Sequence, residues 1–560
     1  MYNADGTPVI RYRQNGNDTD PSYRSSQGKA RDWYVEASLN YSRSFGKHTV
    51  SALALYNQSK QYYYSGTSYP DVPRSYVGFV GRVTYDWANR YMAEFNMGYN
   101  GSENFAPGRR FGTFPAGSLG WNISEESWWE PIKNVIPFLK LRASIGLVGN
   151  DKTVTATRFM YLADPYITDQ DGLMTNCLTS PLTNTYAYQF GNGAPSNDPA
   201  SLKGAYESAK NNPEIGWEKA LKQDYGFDIH FFQDKLNTSF DYYYEHRTDI
   251  LLIDGTVPSI IGFTVPYANL GETKSWGWEV SANWNDKIGQ DWRYWIKFNL
   301  SYNQNEILEM KEAPQSQAYQ YQKGHRIGSR SMYQFFKYYE GEKTEAEYKE
   351  AFGQDFPVQL VGKIKPGDCV YVDLNGDGLI DETDMTRDNG FTDDPQYMVG
   401  GTFGFSWKRL TFNCQLTGAW NVSRYITDVF RQPYFCSSNT TQGGLLQYHV
   451  DNTWVPGVYE NQDALYPRAT WANAVQNYAA TDLYEKDAKY LRVKTVSLGY
   501  DFKSEWLKHR FGISKFELTL SGYNLLTFTP YTWGDPETTA SSAPSYPLQR
   551  TYTVSLNIGF

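Results

Sequence analysis

The feature that most narrows what this chain can fold into is a strict two-residue alternation of apolar and polar side chains, repeated from one end to the other. Trp33, Val35, Ala37, Leu39 and Tyr41 alternate with Tyr34, Glu36, Ser38, Asn40 and Ser42; a turn at Ser44-Phe45-Gly46-Lys47 then leads into a second run, His48 to Asn57. Val77, Phe79, Gly81, Val83 and Tyr85 share the face of the next run, and the turn Asp86 to Arg90 feeds Tyr91, Ala93, Phe95, Met97 and Tyr99. Further pairs run Gln223 to Phe232 with Lys235 to His246, Trp276 to Lys287 with Trp292 to Asn303, Val399 to Trp407 with Leu410 to Trp420, and Tyr490 to Phe502 with Lys515 to Asn524. With Pro115 to Ile123, Leu139 to Ile145 and the last run, the sequence predicts about 15 strands of the roughly 10-residue membrane-crossing kind. Because side chains alternate across a strand, such a chain makes an antiparallel sheet with two chemically different faces.

Those faces decide the solvent. In the last run Tyr552, Val554, Leu556, Ile558 and Phe560 are apolar, whereas Thr551, Thr553, Ser555, Asn557 and Gly559 are small or polar. One face fits lipid and the other a wet interior, which predicts an all-β transmembrane barrel. The connections agree: some are short and polar, while Gly149 to Glu218, Glu309 to Gln396 and Asn421 to Lys489 are long, as extracellular loops are. A soluble sandwich, propeller or solenoid also alternates, but a packed core does not need this division of faces, and no fixed repeat length marks blades or coils. Composition is compatible with a barrel. Aromatic residues make up 17% of the chain, with 47 Tyr and 17 Trp, and bilayer interfaces collect both types. The mean hydropathy of −0.61 excludes helical spans, for which no run of roughly 20 apolar residues exists.

Other functions find little support. Lys+Arg 52 against Asp+Glu 61 gives −9, without a long basic cluster to track phosphates, so nucleic acid is not an expected partner. Cys177, Cys369, Cys414 and Cys436 are scattered and lack zinc or redox spacing. His48, His230, His246, His325, His449 and His509 form no HExxH pair, and no nucleophile elbow or phosphate loop occurs. Glu125-Glu126 and Asp393-Asp394 are adjacent acids that face opposite ways in a strand, so no enzyme is expected. Met1-Tyr2-Asn3-Ala4-Asp5-Gly6 is not a signal peptide, which predicts either its removal or a chain that begins partway through a longer protein.

Tyr85-Asp86 with Arg90-Tyr91, Gly101-Ser102, Phe105-Ala106-Pro107-Gly108, Phe114-Pro115 and Ser118-Leu119-Gly120-Trp121 together resemble one signature segment of the SusC/RagA family of TonB-dependent outer-membrane transporters, and further segments resemble that family's signatures in the same order. Leu139-Lys140-Leu141-Arg142-Ala143-Ser144 with Gly149-Asn150, Trp217-Glu218-Lys219, Asp241-Tyr242-Tyr243, Asn269-Leu270-Gly271-Glu272 and Gly277-Trp278-Glu279 follow. So do Ser301-Tyr302-Asn303-Gln304-Asn305-Glu306-Ile307, Lys365-Pro366-Gly367-Asp368, Asp373-Leu374-Asn375-Gly376-Asp377-Gly378, Tyr490-Leu491-Arg492-Val493-Lys494, Ser521-Gly522-Tyr523-Asn524-Leu525, Asp535-Pro536-Glu537 and Tyr546-Pro547 with Arg550-Thr551-Tyr552.

The resemblance implies residues 1–560 as a portion of a 22-stranded barrel in the outer membrane of a Bacteroidetes-like Gram-negative cell. It implies TonB–ExbB–ExbD-driven uptake of oligosaccharides or peptides, a SusD-like surface lipoprotein as a lid, and assembly of such pairs into dimers. On this resemblance the plug, TonB box and N-terminal extension of the family precede the matched region and are expected to lie outside this chain. Fifteen strands closing nothing would leave backbone groups bare in lipid, so the sequence predicts a fragment. A passive porin or a surface adhesin barrel is the alternative.

Within the loop 309–396, the segment 373–384 has a calcium-loop pattern. Asp373, Asn375, Asp377, Asp381 and Asp384 place oxygens at positions 1, 3, 5, 9 and 12, Gly378 stands at 6, and Leu379 offers its carbonyl at 7, the order of ligands such a loop uses. Position 12 is Asp rather than Glu, and an ion-free Asx-turn loop would have the same composition. Thr344-x-x-Glu347 predicts a capping box opening a helix from Glu345 to Phe352. Tyr62-Tyr63-Tyr64, Trp128-Trp129 and Tyr242-Tyr243-Tyr244 are candidates for stacking on sugar rings or for interface girdles.

Overall fold

A computed structural model describes residues 29–64, 73–152, 159–162, 211–261, 265–432, 447–469, 474–502, 505–538 and 548–560. Met1 to Gly6, Cys177, Cys436 and Tyr546-Pro547 lie outside the described residues. The strands are β1 Lys29–Phe45, β2 His48–Tyr64, β3 Arg74–Trp87, β4 Tyr91–Ser102, β5 Phe111–Asn122, β6 Phe138–Asn150, β7 Glu218–Phe231, β8 Leu236–Ile253, β9 Tyr267–Ile288, β10 Trp292–Glu309, β11 Phe335–Tyr338, β12 Cys369–Tyr371, β13 Tyr397–Trp407, β14 Leu410–Trp420, β15 Ser423–Tyr425, β16 Glu485–Asp487, β17 Tyr490–Asp501, β18 Lys515–Phe528 and β19 Thr551–Gly559. Among the described residues fifteen of them form one antiparallel sheet in chain order, passing from β10 to β13 and from β14 to β17, while β11 pairs with β12 and β15 with β16. No helix among the described residues is long and apolar enough to cross a membrane.

Each strand of the large sheet is hydrogen-bonded to its neighbour because the chain folds straight back at one end. At the β3–β4 turn Ala88 and Asn89 both take positive φ, the geometry of a primed turn whose twist suits a tight hairpin. The Arg90 N–H closes that turn on the Trp87 carbonyl at 2.9 Å, and the Asn89 N–H donates to Asp86 Oδ1 at 2.9 Å. Pro115 sits in β5 just before the ladder to β6 begins at Ala116 and Gly146, a place where its missing N–H is not needed. The strand ends that bound the three longest connections, Asn150 with Glu218, Glu309 with Tyr397 and Trp420 with Tyr490, are all at the opposite end of the sheet.

Register shows which side chains share a face. Leu39 stands opposite Ala54, Ala54 opposite Gly81, Val83 opposite Phe95 and Phe227 opposite Phe240; Phe298 lies between Ala282 and Gly401. Leu39 is 74% exposed, Leu119 67% and Val554 71%, so this apolar face has no second layer packed upon it. The other face is polar: Ser42 meets Ser51 at 3.0 Å, Ser239 meets Ser281 at 2.6 Å, and Arg82 pairs with Glu94 at 2.8 Å. A soluble protein would have buried the apolar face and exposed the polar one. Here the apolar side chains face a greasy solvent and the polar ones an aqueous interior.

Rings mark the limits of the apolar face. Near the short turns Trp87, Tyr91 and Trp121 stack in sequence at 5.6 and 6.3 Å, and Trp292 stacks on Phe405 at 4.9 Å. Near the long loops Phe79, Tyr99 and Phe111 form a matching series, and Tyr302 lies 6.0 Å from Trp278 and 4.8 Å from Tyr397. From Tyr91 to Tyr99 the strand rises about 27 Å, or roughly 20 Å across the layer once the usual tilt is allowed for. That spacing matches the apolar band of an outer-membrane barrel, with an aromatic girdle at each edge.

The expected strands are present, and several run further toward the long loops than the alternation predicts. β9 begins at Tyr267 rather than Trp276, and β10 ends at Glu309 rather than Asn303. Beyond the upper girdle both faces are wetted, so the apolar half of the alternation stops while the hydrogen-bond ladder continues.

Candidate functional site

Two regions carry the polar chemistry: the inward face of the sheet and the layer built from the long loops. On the inward face Arg142 of β6 is held between Asp228 of β7 and Asp241 of β8, at 2.9 Å from each. Lys222 and Arg247 both reach Glu245. A cavity of about 470 Å³ opens beside this array, with Glu94, Ser118, Lys140, Arg142 and Asp224 in its lining. Charged groups of both signs therefore line this wall, a surface suited to hydrated polar solutes.

The described parts of the loops 310–396 and 421–489 are packed. Val422, Ile426, Tyr466, Tyr478, Tyr484 and Tyr531 form one buried cluster, and Tyr333, Tyr338, Cys369, Tyr371, Ile380 and Trp454 form another. Together the clusters draw on 310–396 and 421–489, so the two loops share cores. A buried tyrosine must give its hydroxyl a partner. Tyr338 donates to the Ala464 carbonyl at 2.9 Å, Tyr466 to Phe430 at 2.6 Å, and Tyr371 to Gln476. Burial holds the hydroxyls of Tyr371 and Tyr484 well above their ordinary range and pushes Tyr333 up to about 12, so all three stay protonated. Gly367, at positive φ, fits because the Trp454 ring lies where a side chain would go; a Cβ would stand 2.1 Å from it, and only glycine avoids both penalties.

Ion pairs fasten this layer to the sheet. Arg492 of β17, 1% exposed, reaches Asp535 and Glu537 at 2.7 Å each, and its Nε donates to Thr527. Arg330 joins Glu485 and Asp393, and Arg424 joins Asp393 and the Pro536 carbonyl. Asp368 takes Arg468 at 2.8 Å and the Asn477 amide at 2.9 Å. Segments that read in sequence as separate signatures, 365–368, 490–494 and 535–537, thus belong to one fastened layer. Their long separation along the chain left no local signal of it.

The segment 373–384 folds as linked Asx turns. Asp373 accepts from the N–H groups of Gly376 and Gly378, Asn375 from Asp377, Asp377 from Leu379, and Asp381 from Thr383. Asp384 accepts from Leu374 and Asp381. Asp373 and Asp384 are buried, and burial raises the Asp384 carboxyl above its usual range, an effect that Asp373 nearby reinforces against the lowering pull of the backbone donors. Ile380 anchors the turn in the second core, its N–H donating to Val358. Among the described residues no three His, Cys, Asp or Glu side chains converge by themselves on a metal position.

The helix expected after Thr344 is present but starts earlier, at Glu342, and the capping box does not form. Gly341 is its N-cap without a side-chain bond; Thr344 is buried inside the first turn and accepts from the Glu340 N–H, while Glu347 turns to Lys337 at 2.6 Å. The aromatic clusters divide. Tyr242 lies on the apolar face opposite Tyr225 and Trp278, Tyr243 on the inward face, and Trp129 is buried while Trp128 is exposed beside a short turn. Of the adjacent acids, Glu126 is tied to Tyr91, Trp121 and Arg90, and Asp393 to the two arginines above. Cys369 and Cys414 are buried free thiols.

Comparison with known proteins agrees with this architecture. The family described as TonB dependent receptor-like, beta-barrel matches residues 2–525. The chain belongs to that family. Members are outer-membrane receptors and transporters, and the sheet's apolar face is therefore the lipid-facing wall of such a receptor. TonB-dependent receptor P3 of Formosa agariphila is 28% identical over 93% of this chain and 52% of its own length. TonB-dependent receptor SusC of Bacteroides thetaiotaomicron is 25% identical over 86% of this chain and 44% of its own. The chain spans about half the length of the curated relatives it matches. The RagAB peptide importer in its closed-closed state shares the fold, with a TM-score of 0.66 at 18% identity, over 95% of this chain and 55% of that one.

The arginine clasp of this TonB-dependent receptor barrel makes a prediction. Arg492→Ala leaves Asp535 without its cation in a buried place, which costs about 3 kcal/mol locally. Hydrogen exchange of 529–538 should accelerate while the strand ladders keep their protection; adding Asp535→Asn should recover part of the loss. Unchanged exchange in Arg492→Ala would show that the clasp holds nothing.

Proposed function

We propose that this receptor works as a nutrient importer of the SusC type, taking up oligosaccharides or peptides by TonB–ExbB–ExbD-driven transport with a SusD-like surface lipoprotein as its lid, two such pairs forming a dimer. The observation that carries the reading is the pairing of a lipid-facing wall with a charged, hydrated inner wall under an ordered outer layer. The named relatives support it: one is a SusC and one fold neighbour is a peptide importer. In this reading β1 and β19, the outer strands of the sheet among the described residues, join further strands to close the wall, because lipid leaves no backbone group unpaired.

A strain lacking the gene, grown on a panel of glycans and peptides, should fail on one nutrient class and should fail in the same way when TonB is removed. Growth on every nutrient would refute import; uptake that persists without TonB would make the protein a passive pore.

We also propose calcium for the 373–384 turn, held by Asp373, Asn375, Asp377, Asp381 and Asp384 with the Leu379 carbonyl. Calcium takes hard oxygen ligands and would offset the repulsion between the buried Asp373 and Asp384. Its contribution would be structural, cross-tying the outer layer near the second core. Calorimetric titration should detect calcium binding that Asp373→Ala with Asp377→Ala abolishes; equal heats in both proteins would remove the metal.

A further inference from the structure

The connection between β17 and β18, at the short-turn end of the wall, carries a helix, Glu505–Phe511, whose described side chains are all exposed. A helix of seven residues is far below the length at which helices hold in water without support. Its composition points to where the support comes from. Trp506 is 65% and Phe511 56% exposed, their rings in edge contact at 5.4 Å, while Lys508, His509 and Arg510 occupy its last turn with only Glu505 to oppose them, 3.7 Å from His509.

The helix continues an interface already described. Tyr500 of β17 faces outward opposite Leu410; Phe502 packs on it at 4.6 Å and on Phe516 of β18 at 5.7 Å, which brings the lower girdle to the foot of the helix. The neighbouring turn adds charge: Asp501 N–H donates to the Arg409 carbonyl, and Lys408 sits 5.6 Å over the Trp407 ring. Aromatic rings beside lysine and arginine at the edge of an apolar band are what membrane interfaces select. Short turns lie on the periplasmic side of an outer-membrane barrel, so the leaflet next to this helix is the inner one.

We propose that Glu505–Phe511 is an in-plane foot of the barrel that binds the anionic phospholipid headgroups of the inner leaflet, Trp506 and Phe511 entering the acyl boundary and Lys508 and Arg510 meeting the phosphates. This rests on the orientation of the wall and is independent of whether anything is imported.

The test is hydrogen exchange of the 505–512 amides in the full-length protein, reconstituted in nanodiscs of phosphatidylethanolamine with phosphatidylglycerol and, separately, of phosphatidylcholine. Two basic side chains at an anionic surface should slow exchange by about thirtyfold in the anionic discs relative to the neutral ones. K508E with R510E should erase the difference, and W506S should speed exchange in both lipids; all three positions are exposed, and the β17–β18 ladder serves as an internal check on folding. Equal exchange in the two lipids, or protection that survives the charge reversal, would overturn the proposal.

Discussion

Everything in this molecule depends on satisfying backbone hydrogen bonds where water cannot. Within the apolar band an N–H or C=O without a partner costs several kcal/mol, and only a strand flanked on both sides, or a helix, avoids that cost. The sheet meets the requirement with ladders between neighbours in chain order, and Pro115, unable to donate, falls where its strand has not yet met β6. The alternation follows from the same condition: with the backbone committed to ladders, only side chains remain to distinguish lipid from water.

Above the upper girdle the physics changes. Water is available on all sides, a ladder is optional, and the long loops have to be ordered by burial instead. They do so with tyrosines, which contribute ring area to a core while the hydroxyl finds a carbonyl, and with buried arginines that bridge segments remote in sequence. Arg492 is the link between the two regimes, since it springs from a strand of the wall and grips the loop 535–537. Motion of the outer layer relative to the wall would have to break or carry along that clasp.

The wall was largely legible in the sequence because period two is a local signal and the short turns punctuate it. Ends such as Trp407 and Leu410 were readable from the Lys408-Arg409 turn, whereas the outer ends of β9 and β10 were not, because polar residues on both faces look like loop. The packing of 310–396 against 421–489 was also hidden: its partners, Tyr338 with Ala464 or Cys369 with Asn477, lie more than a hundred residues apart. The helix at Glu342 was found but its start was misjudged, since Thr344 had the composition of a cap while its burial made it part of the first turn. At 373–384 the spacing of Asp, Asn and Gly was legible as a tight acidic turn because Asx turns are local, each side chain accepting from an N–H a few residues on.

One face of the sheet meets lipid and the other meets water, and the free energy of folding into a bilayer measures that division directly. Phe298 stands midway between the girdles on the outward face, and Thr402 stands at similar depth on the inward face, beside Lys297. With an arginine at Phe298 the barrel should lose about 2 to 4 kcal/mol of stability in lipid, while a glutamate at Thr402 should change it by less than about 1 kcal/mol. A tolerated charge at Phe298 together with a costly one at Thr402 would mean that the faces have been assigned the wrong way round.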